Sequence, residues 1–221
     1  MKECLLCNKE LKTSEHFTDL IFINQQEKSI CKECKKDFEQ IGEIHCPRCF
    51  KDKEEKVCKD CEFWEDKGNT VQHEALYRYN GAMKDYFKRY KFEGDRLLGM
   101  VFASDIKKAL KKYKNYTIIP TPISHEKKQE RGFNQVSTIL DFAEIKYSTL
   151  FQKEDSLAQS KKTREERLKT SQHFQLTEEV PKKQKYLIFD DIYTTGKTIE
   201  LMKRLLIEKG VKEIKTFSIA R

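Results

Sequence analysis

Eight cysteines, all of them before Phe63, constrain this chain more than any other feature. They form four CxxC pairs: Cys4 and Cys7, Cys31 and Cys34, Cys46 and Cys49, Cys58 and Cys61. The two thiolates of one pair can reach a single ion, and four pairs complete two tetrahedral Cys4 sites, the closed geometry of structural zinc. Residues 1–11 lack the apolar core of a signal peptide, and no apolar run approaches the roughly 18 residues of a spanning helix. The expectation is a cytosolic protein without membrane insertion, where an even thiol set points to metal rather than to disulfides. Two structural Zn²⁺ ions follow, with sequential pairing favoured: Cys4, Cys7, Cys31 and Cys34 on one ion, Cys46, Cys49, Cys58 and Cys61 on the other. Interleaved pairing stays open on sequence alone. All-thiolate sites leave no coordination position for water or substrate, so the module is structural and presents a surface to a partner or to nucleic acid. So small a module buries little apolar area, and metal supplies most of its folding energy. Residues 20–23 are expected as a strand of the first ribbon, and His16 and His45 as surface residues.

Residues 63–70 carry the only tryptophan, Trp64, followed by polar residues and Gly68. They divide a double zinc-ribbon module, 1–66, from a larger domain, 67–221. In that domain strand-like and helix-like segments alternate, the pattern of an α/β fold with a mostly parallel sheet and helices on both faces. Strands are expected at 73–79, 116–120, 149–151, 186–189 and 214–220. Helical spacing of Met83, Phe87 and Tyr90 predicts a helix over 82–91, and Leu98, Val101, Phe102, Ala109 and Leu110 predict another over 96–112. The sequence RGFNQ at 131–135 leads into a further helix bearing Val136, Ile139, Leu140 and Ala143. Between 152 and 172 lies a long polar and basic stretch, the kind of loop that serves as a lid or stays disordered.

The stretch YLIFDDIYTTGKT, 186–198, joins a short apolar strand to an amphipathic helix with Ile199, Met202, Leu205 and Leu206 on one face. A helix N-terminus offers unpaired N–H groups and a positive dipole end, which together bind phosphate. Gly196 lets backbone approach closely, and the hydroxyls of Thr194, Thr195 and Thr198 add donors. Asp190 and Asp191, at the strand end, accept hydrogen bonds from vicinal hydroxyls, so a ribose 5-phosphate satisfies both ends. A Walker A loop is excluded, because Asp191 stands where that motif needs its first glycine. The run resembles the phosphoribosyl pyrophosphate (PRPP) signature of type I phosphoribosyltransferases. By that resemblance Asp190 and Asp191 hold the ribose hydroxyls, while Thr194, Thr195, Gly196, Lys197 and Thr198 wrap the 5-phosphate.

A second candidate ligand region is PTPI, where prolines on either side of Thr121 fix the backbone past a strand's carboxyl end, the usual place for ligands in an open α/β sheet. Arg131, before a glycine and read here as a helix start, either grips an anion or is a surface residue. The net charge of +8 suits a polyanionic partner, and Lys107, Lys108, Lys111, Lys112 and Lys114 form the first of several basic runs, though such runs are more often solvated faces.

Four CxxC pairs, then YKFEGD, PTPI, RGFNQ and DDIYTTGKT together resemble the ComF family over nearly the whole chain. The resemblance implies a type I phosphoribosyltransferase fold and a role in uptake or handling of transforming single-stranded DNA beside the ATPase and translocase ComFA. It implies PRPP, with Mg²⁺, in the pocket of Asp190, Asp191 and Thr194 to Thr198. Thr121, Pro122 and Arg131 would flank the pyrophosphate, with Gln159 and Arg167 on a mobile loop. An active phosphoribosyltransferase acting on a nucleobase or other acceptor is the alternative function.

Overall fold

A computed structural model describes residues 3–11, 29–154 and 174–221. Gln159, Arg167, His16 and the strand expected at 20–23 lie outside them. Six strands are described: β1 (His73–Tyr77), β2 (Thr117–Pro120), β3 (Phe151–Lys153), β4 (Phe174–Leu176), β5 (Tyr186–Ile192) and β6 (Ile214–Ala220). The helices are α1 (Lys32–Lys36), α2 (Lys59–Glu65), α3 (Gly81–Phe92), α4 (Ala103–Leu110), α5 (His125–Arg131), α6 (Gln135–Phe142) and α7 (Lys197–Glu208).

The main sheet has the order β1-β6-β5-β2 with every pairing parallel, and β3 and β4 form a separate antiparallel pair. β5 is central because its apolar run is covered on both sides. Leu187 and Phe189 face α3, α4 and α6, while Tyr186 and Ile188 face α7. All four are at most 1% exposed, so each contributes on the order of 2 kcal/mol by burial. The α/β architecture with helices on both faces is thus the one the alternation predicts.

The cysteine segments pack against this sheet on opposite faces. Cys4, Ile30 and Phe38 join the core with α3 and α4, whereas Cys46, Cys49, Cys58 and Cys61 join the core with α7. The chain between them covers the edge of β1: Ile41 N–H donates to the Leu76 carbonyl at 3.0 Å, and Arg78 N–H to the Glu39 carbonyl at 2.9 Å. An exposed strand edge is a template for unwanted pairing, and this segment closes it.

Three expectations need correction. The helix expected over 96–112 is a 3-10 turn (Arg96–Met100), then α4, then a second 3-10 turn (Lys111–Tyr113). Gly99 weakens the helix there, and Phe142 approaches so closely that a Cβ on Gly99 would lie 2.8 Å from its ring. The central strand continues past Phe189 through both aspartates to Ile192, since Asp190 pairs with Ser218 and Ile192 with Ala220. Arg131 ends α5 instead of starting a helix, because Gly132 takes the left-handed conformation (φ 81°) and caps it. Asn134 then opens α6, its side-chain oxygen accepting from the N–H of Val136 at 2.8 Å and of Ser137 at 3.3 Å.

Candidate functional site

The carboxyl ends of β2 and β5 lie side by side, with Pro120 paired to Phe189. That register brings Thr121 to the acidic pair. Its hydroxyl donates to Asp190 Oδ1 at 2.7 Å, and its own carbonyl accepts from Asn134 Nδ2 at 3.1 Å. Asp190 Oδ1 also accepts from the Asp191 N–H at 2.9 Å, and Asp191 Oδ1 from the Ile192 N–H at 2.7 Å. Pro122 follows directly in the chain, half-buried.

Two adjacent carboxylates at a strand end repel each other, and the site contains a cation that reduces this. Lys91 Nζ lies 2.7 Å from Asp191 Oδ2 and 4.7 Å from the Phe87 ring centroid. Burial first, and then the neighbouring Asp191 charge, push the Asp190 carboxyl up to about 7. Lys153 also acts on Asp190, and its own ammonium is pulled down, chiefly by burial. Arg131 acts on Asp191 but is tied to protein groups, its Nε donating to the Lys91 carbonyl at 2.8 Å and a terminal nitrogen to Gln135 Oε1. An acidic pair in contact with Lys91, and within electrostatic reach of Arg131 and Lys153, can accept hydroxyls or a divalent cation, with cations nearby for anionic groups.

Beyond Ile192 the chain turns through Tyr193, Thr194, Thr195 and Gly196 into α7. Gly196 has φ 76°, and a Cβ there would lie 2.2 Å from the Tyr193 hydroxyl, so the turn requires glycine on both counts. Tyr193 is buried beneath the turn, stacked on His73 at 4.0 Å between ring centroids. His73 in turn is hydrogen-bonded to Thr216 Oγ1 at 3.0 Å and Ser218 Oγ at 2.8 Å, and burial holds its imidazole well below the usual range. Thr194, Thr195 and Lys197 are exposed and Thr198 half-buried, with Thr195 Oγ1 accepting from the Lys197 N–H at 3.4 Å. Among the described residues the N–H groups of Thr194, Thr195 and Gly196 have no protein acceptor. Free amides at the start of a twelve-residue helix are of the kind that can accept an anion.

The eight cysteines gather sequentially. Cys4, Cys7, Cys31 and Cys34 form one cluster and Cys46, Cys49, Cys58 and Cys61 the other, all ligand atoms within 4.8 Å of one another in each. Sulfur separations of 3.8 Å (Cys7 to Cys31), 3.9 Å (Cys46 to Cys61) and 3.5 Å (Cys49 to Cys58) match the edge of about 3.8 Å that a tetrahedron of roughly 2.3 Å metal–sulfur bonds requires. The donor sets therefore fit structural metal ions. His45 stands outside both clusters, stacked on Phe50 at 4.0 Å.

The structure thus gathers Asp190, Asp191 and Thr121 in one hydrogen-bonded group, places Thr194, Thr195 and Gly196 in the adjoining turn and Lys197 and Thr198 at the start of α7, and holds Arg131 near Asp191. Lys91 escaped sequence reasoning, although it sits within the YKFEGD segment. His73 and Tyr193 read only as strand and loop residues, and Trp64 as linker.

Residues 98–221 match the family described as phosphoribosyl transferase domain. Over 219 residues, covering 99% of this chain and 100% of the relative, the sequence is 44% identical to competence protein ComFC of Streptococcus pneumoniae. It is 30% identical over 227 residues to competence protein ComFC of Bacillus subtilis, covering 99% of this chain and 94% of that one. Identity to competence protein F of Haemophilus influenzae is 23% over 234 residues, covering 99% and 90%.

Proposed function

The chain belongs to the phosphoribosyl transferase domain family and, within it, to the ComFC competence proteins, and from that membership we propose that it serves natural transformation through a working PRPP pocket. One observation carries the reading: Thr121, Asp190 and Asp191 form a hydrogen-bonded acidic group beside a glycine turn with three free amides. Asp190 and Asp191 take the ribose hydroxyls, and Thr194, Thr195, Gly196, Lys197 and Thr198 take the 5-phosphate. Thr121, Pro122 and Arg131 flank the pyrophosphate, and Mg²⁺ would neutralise the carboxylate charge that Lys91 balances in this structure. Gln159 and Arg167 complete the proposed set from the loop outside the described residues.

Around this pocket, we assign residues 1–66 to two zinc ribbons and 67–221 to the phosphoribosyltransferase-like domain. The ribbons dock the ComFA ATPase, and Lys108, Lys111 and Lys114, all exposed, follow the backbone of single-stranded DNA in the cytoplasm. No described helix is long and apolar enough to cross a membrane, in keeping with a partner that meets DNA after entry into the cell. A second reading, transfer of the ribosyl phosphate to an acceptor, is favoured by Lys91 in contact with the acidic pair and by Arg131 and Lys153 within electrostatic reach of it, charges that suit a departing pyrophosphate.

Calorimetry with PRPP and Mg²⁺ tests the pocket. Intact protein should bind, and the double variant Asp190→Asn, Asp191→Asn should bind at least tenfold more weakly; equal binding by the two would remove the acidic pair from the site. Pyrophosphate release on adding candidate acceptors distinguishes transfer from binding alone.

A further inference from the structure

The turn that presents the free amides is held from behind by the segment carrying the second cysteine cluster. Trp64, on α2, donates its indole N–H to the Thr195 carbonyl at 2.7 Å. Arg221 donates through one terminal nitrogen to the carbonyls of Tyr193 at 3.2 Å and Thr194 at 2.6 Å. Its other terminal nitrogen donates to Asp60 Oδ2 of α2 at 2.8 Å and lies 3.4 Å from Cys49 Sγ. The Arg221 side chain is 8% exposed, and its guanidinium also lies 5.0 Å from the Tyr193 ring centroid, so the fork is fixed on several sides.

These contacts have a directional consequence. A trans peptide is planar, with its N–H pointing opposite to its carbonyl. Three successive carbonyls, those of Tyr193, Thr194 and Thr195, are bound by Arg221 and Trp64. The N–H groups that follow them, on Thr194, Thr195 and Gly196, therefore point the other way, and they are the three without a protein acceptor. Preset amides bind an anion better than amides that must first be turned, because the ordering entropy is already spent.

The support itself depends on the cysteine cluster. α2 has only seven residues, too few to hold a helical place alone, and its start is fixed by Cys58 at the cap and Cys61 within the first turn. We propose that Trp64 and Arg221 are positioning residues for the anion-binding amides, and that metal occupancy of the Cys46, Cys49, Cys58 and Cys61 cluster is coupled to anion binding at the turn. Coupling is reciprocal: bound anion slows metal loss, and bound metal tightens the anion. The inference rests on the sugar-phosphate reading of the turn and adds to it the residues and the metal cluster that preset it.

The test uses the full chain loaded with zinc, as wild type, Trp64→Phe and Arg221→Lys; the second variant decides if the first fails to fold. Zinc content, NMR order parameters of the backbone amides of Thr194, Thr195 and Gly196 and PRPP–Mg²⁺ calorimetry are measured on each. Loss of one such hydrogen bond should lower those order parameters and weaken PRPP binding by about five- to tenfold, with zinc content unchanged. Trp64 is the only tryptophan, so its emission should also change as PRPP is titrated into the wild type. Zinc transfer to a competing chelator should be slower with PRPP present. Unchanged order parameters in both variants, at full zinc content, overturn the support. Wild-type protein that binds PRPP no better than zinc-loaded Trp64→Phe and Arg221→Lys overturns it too, while leaving the sugar-phosphate reading intact. Order parameters that fall in the variants of a protein that binds no PRPP uphold the support and refute the sugar-phosphate reading.

Discussion

Asp190 is costly to keep charged in the ligand-free protein, and strongly shifted carboxyls of this kind concentrate at ligand sites. Burial and the Asp191 charge hold its carboxyl up to about 7, whereas in an unfolded chain it ionises near 3.9. The folded form therefore binds the extra proton between those values. Its contribution to stability is present below about pH 4 and is lost as pH rises through about 7. Asparagine keeps the acceptor for the Thr121 hydroxyl and has no proton to lose. Asp190→Asn should stabilise the ligand-free protein at both pH 5.5 and pH 8.5, and by more at pH 8.5, the difference being on the order of 1–2 kcal/mol. Asp190 is half-buried, and solvent screening holds the difference below that of the full shift. Urea unfolding of both proteins at both pH values measures it, and metal effects cancel within each pH. A variant equally stable with wild type at pH 8.5 would mean that Lys91 already offsets the charge completely. By the same linkage, PRPP–Mg²⁺ affinity in the wild type should rise between pH 6 and 8, as both carboxylates become available to metal and hydroxyls.

Between α5 and α6 the chain reverses in three residues, and Asn134 performs two tasks there. Its oxygen caps α6, and its nitrogen donates to the Thr121 carbonyl, which ties the helix to the loop after β2. A cap contributes about 1 kcal/mol and a buried hydrogen bond about as much again. Asn134→Ala should therefore lower stability by about 2 kcal/mol in urea unfolding and weaken PRPP binding, since Thr121 supports Asp190. A loss below about 0.5 kcal/mol would refute the double role. Elements of this kind divide what was legible in the sequence from what was not. α7 was legible because its apolar positions follow one helical period, the start of β5 because it is a short apolar run, and the four cysteine pairs because CxxC spacing is local; their sequential grouping, favoured but left open by the sequence, is decided by the structure. The α5–α6 joint was misread because Arg-Gly fits a helix end as well as a helix start, and only the left-handed φ of Gly132 decides between them. The break at Gly99 was hidden for a different reason: it depends on Phe142, forty-three positions away in sequence. The contacts of Trp64 with Thr195 and of Arg221 with Asp60 span 131 and 161 positions, and no periodicity records such meetings.

At the scale of the whole molecule, the two cysteine clusters occupy opposite faces of one sheet and belong to its two cores. Cys4 packs with α3 and α4, and Cys46, Cys49, Cys58 and Cys61, at most 2% exposed, pack with α7. A metal site built into a core cannot be emptied without consequence for that core, because four thiols left without an ion lose the constraint that fixed them. The segment between the clusters also closes the edge of β1, at Ile41 and Glu39, so its release would expose the sheet. Chelation should therefore lower a single cooperative melting transition, not remove a first small one and leave a second in place. Calorimetric scans with and without a strong zinc chelator, with helix content followed in parallel, give the measurement. The expected result is one transition that moves down by many degrees, with α7 and α3 lost together. Two transitions, the upper one at the original temperature, would show that the sheet and its helices fold without the clusters, and the shared cores would then be contacts of packing alone.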